Sequence, residues 1–297
     1  MTIAMPATLP PDIELTQPWP LPLRRLLLEA RRDLRQGRTT QAVLGFERAL
    51  ELEPNIPEAH LGLALARRPG PGYRKWLEIL HGALRPGLYA EIGVETGGTL
   101  RLAKPGTAVI GIDPDPRLPA DGAAAPDVRV FAMTSQEFFA TPEAVAALPG
   151  PVDLAFIDGD HRFASVLHDF LELEARMAPD GVIALHDTWP LDARTAGSTR
   201  LTGFYSGDGW KLVPCLRALR PDLRLMTIPA APTGLTLVTG LDPASTLLRR
   251  RFDRILAAFA PLPYGAGAEH SLALVRNDGA ALDQLLAWRA MATAKSS

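Results

Sequence analysis

Two short apolar runs, Leu154–Ile157 and Val182–Leu185, each end in a polar cluster: Asp158-Gly159-Asp160-His161 after the first, His186-Asp187 after the second. A continuous apolar run without polar alternation reads as a strand buried on both faces, which is the habit of a parallel sheet. About one helix's length separates the two runs. Open α/β sheets bind ligands beyond the carboxyl ends of their strands. Asp158, Asp160, His161, His186 and Asp187 are therefore expected to converge on one crevice, although the clusters begin 28 positions apart.

The pattern around these runs repeats. Tyr73–Ala83 reads as a helix, Leu88–Gly93 as a strand, Val109–Asp113 and Val128–Phe131 as two more, and Ser165–Met177 as the helix between the two marked strands. Leu223–Ile228 and Leu235–Thr239 complete a set of seven. The linker Pro229–Gly234 is too short for a crossover helix, so this last pair must be an antiparallel hairpin. The fold class expected is α/β: a doubly wound, mostly parallel seven-stranded sheet with right-handed crossovers, preceded by a small helical segment. Two helices, about Ala244–Phe259 and Gly279–Ala292, close the chain.

The helical segment precedes a strong breaker, Arg67-Arg68-Pro69-Gly70-Pro71-Gly72. Leu23, Leu26, Leu27, Ala30 and Leu34 recur at helical spacing until Gly37, and Ala42, Phe46, Ala49 and Leu50 form the face of a second helix ending before Pro54. Ala59, Leu63 and Ala64 open a third. The spacing Ala-x3-Phe-x2-Ala-x4-Pro resembles the second half of a tetratricopeptide repeat, with small residues allowing close approach and Phe46 filling the gap. So few repeats fit a hairpin capping the next domain, though a protein partner could use the same surface. The divisions expected are a mobile tail over 1–22, with its six prolines, the helical segment over 23–70, the sheet domain over 71–243, and tail helices over 244–297 that could pair with a second subunit.

Bulk properties exclude several function classes. A net charge of −2 gives no footprint for nucleic acid or an anionic membrane. No apolar run is long enough to span a bilayer, and the N-terminus lacks the basic start and apolar stretch of a signal peptide. Cys215 is the single cysteine, so a disulfide within the chain and a cysteine zinc cluster are both ruled out. A reducing, cytoplasmic setting is expected, with Cys215 as buried packing in a helix.

Glu91-Ile92-Gly93-Val94-Glu95-Thr96-Gly97-Gly98-Thr99 spans the end of the first strand and the turn beyond it. Glycines there permit a tight turn and close approach of a ligand. Asp113 ends the next strand, where an acid can bind ribose hydroxyls. The spacing is neither the Gly-x-Gly-x-x-Gly of a dinucleotide fold, which argues against a nicotinamide oxidoreductase, nor a phosphate loop. Glu91 and Glu95 would repel a pyrophosphate. A ribose-bearing, phosphate-free and positively charged ligand such as S-adenosylmethionine fits best.

Glu-Ile-Gly-Val-x-x-Gly-Gly-Thr, Ile-Asp, Phe-Ile-Asp-Gly-Asp-His and Leu-His-Asp, in this order, resemble the class I S-adenosylmethionine-dependent methyltransferases. The nearer likeness is to the metal-dependent small-molecule O-methyltransferases, including enzymes acting on macrolide and aminocoumarin sugars, and to the cephalosporin-hydroxylase-like group. The resemblance covers about residues 73–240. It implies that Glu91, Gly93, Gly97 and Gly98 face the methionine part of the cofactor, that Asp113 takes the ribose, and that Thr134, Ser135 and Gln136 lie near the adenine. It also implies a small hydroxylated acceptor, with Asp158 and Asp187 as ligands of magnesium or manganese and His161 or Asp160 as general base.

A divalent cation lowers the pKa of an attacking hydroxyl and orients it, and hard cations prefer carboxylate oxygens. His186 stands where the sugar enzymes usually carry an acid. Imidazole suits manganese, iron or zinc better than magnesium, so either His186 is a ligand of a different metal, or metal binding is weak, or His186 is a second base. His161 is expected to open the following helix, where the helix dipole would favour its neutral form. Asp160 could equally be a cap for that helix. His60, His81, His168 and His270 have no cluster of partners and read as packing or surface residues. The long stretch Thr188–Gly209, with Trp189, Tyr205 and Asp208, reads as a lid over the acceptor. The competing function is a scaffold with a catalytically idle sheet domain, a reading to which His186 lends some support.

Overall fold

The computed structural model describes residues 18–119, 127–265 and 267–296. The first 17 residues of the tail therefore lie outside the described residues. Apolar runs with no polar alternation build the expected sheet: β1 (Leu88–Ile92), β2 (Ala108–Asp113), β3 (Val128–Ala132), β4 (Val152–Ile157), β5 (Met177–His186), β6 (Arg224–Ile228) and β7 (Leu235–Thr239). Their order is β3-β2-β1-β4-β5-β7-β6. The first five strands run parallel, and β7 is antiparallel to both β5 and β6.

Both faces of the sheet are covered, which is why its central strands are apolar throughout. On one face lie α4 (Tyr73–Leu84) and α11 (Gly279–Ser296), through Trp76, Leu77 and Leu80 and through Ala281, Leu282 and Leu285. On the other lie α5 (Ser135–Ala140), α6 (Pro142–Val145), α7 (Phe163–Glu174), α8 (Leu212–Leu219), α9 (Leu247–Arg250) and α10 (Phe252–Phe259). Cys215 is buried in α8, as read.

Three boundaries differ from the sequence reading. The helix expected to run to Met177 stops at Glu174, and Met177 starts β5. Val152 at the head of β4 captures this segment: its N–H donates to the Arg176 carbonyl and it pairs with Met177, with a register shift before Leu154. The first tail helix is split into α9 and α10 at Arg251, and its start is delayed because Asp242 holds Ala244 and Ser245 in a turn. The last helix runs on to Ser296.

Ahead of the sheet, short turns fold α1 (Leu21–Arg35), α2 (Thr39–Leu52) and α3 (Pro57–Arg67) around their own core of Leu27, Ala30, Ala42, Phe46, Ala49 and Leu63. Glycine makes the close approach possible. A Cβ on Gly62 would sit 2.3 Å from the Phe46 ring, and one on Gly45 would sit 2.7 Å from the Ala30 Cβ. Phe46→Ala is expected to destabilise this unit by about 3–5 kcal/mol. Hydrogen exchange would then show protection lost over residues 21–67 and kept in the sheet.

Candidate active site

Strand register alone assembles the site. Ile92 pairs with Ile112 on one side and Ile157 on the other, and Ile157 pairs with Leu185. The next residue on each strand is Gly93, Asp113, Asp158 or His186, so these four stand in one row at the carboxyl edge. All four line a cavity of about 590 Å³, together with Thr134, Ser135, Asp160, His161 and Asp187. Gly93 is obligatory here. Its φ is +92°, and a Cβ would lie 2.0 Å from the Asp158 carbonyl oxygen. The β1 and β4 turns therefore touch backbone to backbone.

The acids and imidazoles form an interlocked cluster. His186 Nδ1 lies 2.9 Å from Asp158 Oδ1 and 3.4 Å from Asp187 Oδ1. His161 Nδ1 forms a close pair with Asp187 Oδ2. Asp187 adopts φ +57°, a left-handed conformation that costs a non-glycine residue about 1–2 kcal/mol. Backbone strain of this kind clusters at functional sites. Burial alone would raise the Asp187 carboxyl, but His186 and His161 outweigh it and hold its pKa below the ordinary value.

Three expectations change at this point. The helix opens at Phe163, not at His161, and its first free N–H is capped by Asp208 Oδ1 at 2.8 Å from far along the chain. Burial pushes the His161 pKa down, but the Asp187 carboxylate dominates and lifts it to about 9, so the helix-terminus argument for a neutral imidazole fails. His186 is less available than its position suggested, because Nδ1 is on Asp158, Nε2 is 3.3 Å from the Thr233 hydroxyl, and its ring lies 4.1 Å from that of Tyr73. The donor atoms that gather within 4.8 Å of one another are those of Asp158, Asp187 and His161. Asp160 is engaged outside that group: its carboxylate accepts from Arg162 Nε at 2.8 Å and from the Ser165 hydroxyl at 2.8 Å.

The remaining residues divide. Asp113 lines the cavity and braces it, accepting from the Glu95 N–H at 2.8 Å and the Asp115 N–H at 2.7 Å. Thr134 caps α5 in a capping box with Glu137, and Ser135 donates to Asp169 at 2.6 Å. Gly97, Gly98 and the exposed Gln136 are not on the cavity wall. Nor is Glu91, which is fully buried and accepts from the Tyr89 hydroxyl at 2.6 Å and the Thr99 hydroxyl at 2.5 Å. Burial lifts its pKa to about 8.

The long stretch after β5 does reach over the cavity, where Phe204 and Tyr205 join the wall. It is firmly held. Ser206 and Gly207 donate to the Thr195 carbonyl, Gly209 donates to the His161 carbonyl, and Trp189 donates to Thr233. The helical unit holds it as well: the Gly203 N–H donates to Asn55 Oδ1 at 2.6 Å, and buried His60 stacks on Phe204 at 5.7 Å with an interplanar angle of 4°. Sequence reasoning missed Phe204, Tyr73 and Thr233, because no local pattern marks a residue delivered by a loop or turn, as Phe204 and Thr233 are, or by the first turn of α4, as Tyr73 is.

Residues 90–188, from within β1 to just past Asp187, match the model of a family described as a methyltransferase domain. A comparison with curated proteins gives no match. Among solved structures, the chain is similar to cofactor-bound Rv0187 from MTB, at 19% identity over 57% of this chain and 80% of that one, with a TM-score of 0.44. It is similar to the O-methyltransferase TomG from Streptomyces achromogenes in complex with SAM, at 16% identity over 56% and 78%, with a TM-score of 0.43. It is also similar to the MycE methyltransferase of mycinamycin biosynthesis, solved with Mg, SAH and mycinamycin VI, at 18% identity over 56% of this chain and 48% of that one, with a TM-score of 0.39. Among the described residues, no helix is long and apolar enough to cross a membrane.

Glu91 gives a pH test. It stays protonated in the fold up to about pH 8, whereas in the unfolded chain it ionises near 4.5. The native state therefore binds the extra proton between these values, and stability from this group falls as pH rises through them. Glu91→Gln mimics the protonated acid. In urea unfolding, the stability of wild type minus variant should drop between about pH 5 and pH 8; two parallel curves would contradict the assignment.

Proposed function

We propose that the domain transfers a methyl group from S-adenosylmethionine to a hydroxyl of a small molecule, assisted by a divalent cation. The observation that carries this reading is the row Gly93, Asp113, Asp158 and His186 on one cavity, with the Asp158–His161–Asp187 donors beside it. The cavity wall holds five carboxylates and no lysine or arginine among the described residues, which suits a sulfonium and disfavours a phosphate. Each Asp113 oxygen already accepts one backbone N–H and keeps a lone pair for a ribose hydroxyl.

The residues fit a cation. The Asp158 and Asp187 carboxylates, with donor atoms within 4.8 Å of each other and of His161, suit a hard cation such as magnesium or manganese. Asp158 and Asp187 would hold it, and His186 would orient Asp158 from behind through its 2.9 Å contact. When bound, the cation would lower the pKa of the acceptor hydroxyl. His161, were Asp187 engaged elsewhere, would lose the partner that does most to raise its pKa and would be the group placed to accept the hydroxyl proton. The new bond joins the acceptor oxygen to the methyl carbon, the bond from that carbon to sulfur breaks, and S-adenosylhomocysteine leaves. Phe204 and Tyr205 exclude water from the attacking oxygen.

Calorimetry tests the cofactor. S-adenosylhomocysteine should bind, and Asp113→Ala should weaken it by about 1–3 kcal/mol; no binding at millimolar ligand would reject the reading. Manganese titration followed by electron paramagnetic resonance tests the cation. Asp158→Asn and Asp187→Asn should each lose manganese binding and keep S-adenosylhomocysteine affinity within a few-fold.

A further inference from the structure

A second cavity, of about 610 Å³, lies between the helical unit and the sheet domain. Its apolar wall comes from Leu34, Leu61 and Leu65, and its polar wall from Arg68, Arg74 and Lys75. It adjoins the first cavity: Pro232 lines both, and the ring of Tyr73 on its wall lies 4.1 Å from that of His186 of the other, tilted by 37°. The two differ in sign. No aspartate or glutamate lines the second cavity among the described residues, whereas the first carries five carboxylates beside its two imidazoles and no lysine or arginine.

Arg68 is the most telling residue. It is 4% exposed, yet its hydrogen bonds go to backbone carbonyls, Pro190 O at 2.8 Å and Pro232 O, and its guanidinium lies 4.3 Å from the Trp189 ring centroid. Among the described residues, no carboxylate forms an ion pair with it. A buried cation normally keeps a counter-charge, because desolvation is otherwise uncompensated. The two carbonyl bonds use two of its five N–H donors, leaving part of the fork for an oxyanion. Arg74 donates to the Tyr73 hydroxyl at 3.1 Å, and Lys75 is paired with Glu78 at 2.9 Å on the half-exposed rim.

We infer that the second cavity binds the apolar, anion-bearing body of the methyl acceptor: a chain or ring against the leucines, a carboxylate or phosphate head toward Arg68 and Lys75, and the hydroxyl carried past Tyr73 and Pro232 to the acid cluster. Its role as acceptor rests on the methyl-transfer reading; its binding does not. The sign difference sorts the two ligands, the sulfonium to the acidic cavity and the anion to the basic one. The helical unit thereby supplies the leucine wall of the acceptor's binding surface.

The test uses the full chain and calorimetry with decanoate, decyl phosphate and decyltrimethylammonium, each with and without saturating S-adenosylhomocysteine. One of the anions should bind, with S-adenosylhomocysteine present or absent, and the cation should bind at least about tenfold more weakly. Lys75→Glu and Leu65→Asp should each weaken the anion at least about tenfold and leave S-adenosylhomocysteine binding unchanged. Arg68→Met should do the same, and if that variant does not fold the other two decide. Equal binding of the cation, displacement of the anion by S-adenosylhomocysteine, or indifference to Lys75→Glu and Leu65→Asp would overturn the inference. Anion binding by a wild type that fails to bind S-adenosylhomocysteine would uphold the cavity and reject the methyl-transfer reading instead.

Discussion

Parallel pairing in register is the constraint from which the rest of the molecule follows. Ile92, Ile112, Ile157 and Leu185 sit level across four adjacent strands, and each is followed at once by a residue that breaks the apolar run. A slip of one residue between β4 and β5 would turn the side chains of a whole strand to the opposite face. Asp158 and His186 would then no longer meet. The β1–β4 pairing is additionally locked by Gly93, whose missing Cβ admits the Asp158 carbonyl.

Within that frame the charges organise themselves. Three acids and two imidazoles share one edge, and each imidazole is drawn toward its charged form by a carboxylate despite burial. The cluster is thus compensated as it stands, through pairs that a cation could replace on Asp158 and Asp187. Glu91, a few residues away, takes the opposite course: burial outweighs the hydroxyls of Thr99 and Tyr89 and the charge of Arg74, and it keeps its proton. Two acids near one strand end are therefore separated by environment into different roles.

The N-terminal helices are tied to the site through contacts distant in sequence. His60 steadies Phe204, Asn55 holds Gly203, and Arg68 bridges the Pro190 and Pro232 carbonyls. These contacts fix a long loop that has little regular structure of its own. Asp208 at the end of that loop caps α7, so the loop and the helix carrying the cluster's neighbours are held as one piece.

The apolar runs, their βα rhythm and the six-residue linker before β7 determined the sheet, its mostly parallel order and the closing hairpin, because alternation, helical period and loop length are written locally. They also placed Asp113, Asp158, His161, His186 and Asp187 on one edge, since strand ends in a parallel sheet share a side. Tertiary structure decided which groups among them meet. His161 completes the donor group with Asp158 and Asp187, while His186 contacts both carboxylates through Nδ1 and is also engaged by Thr233 and Tyr73, from elements that no local pattern connects to it. Phe204 reaches the cavity, Asp208 replaces Asp160 as the cap of α7, and Arg68, read as part of a breaker, becomes a buried bridge. Spacing along a chain fixes what is possible within one element; contacts between elements depend on loop paths and burial, which the order of residues encodes only collectively.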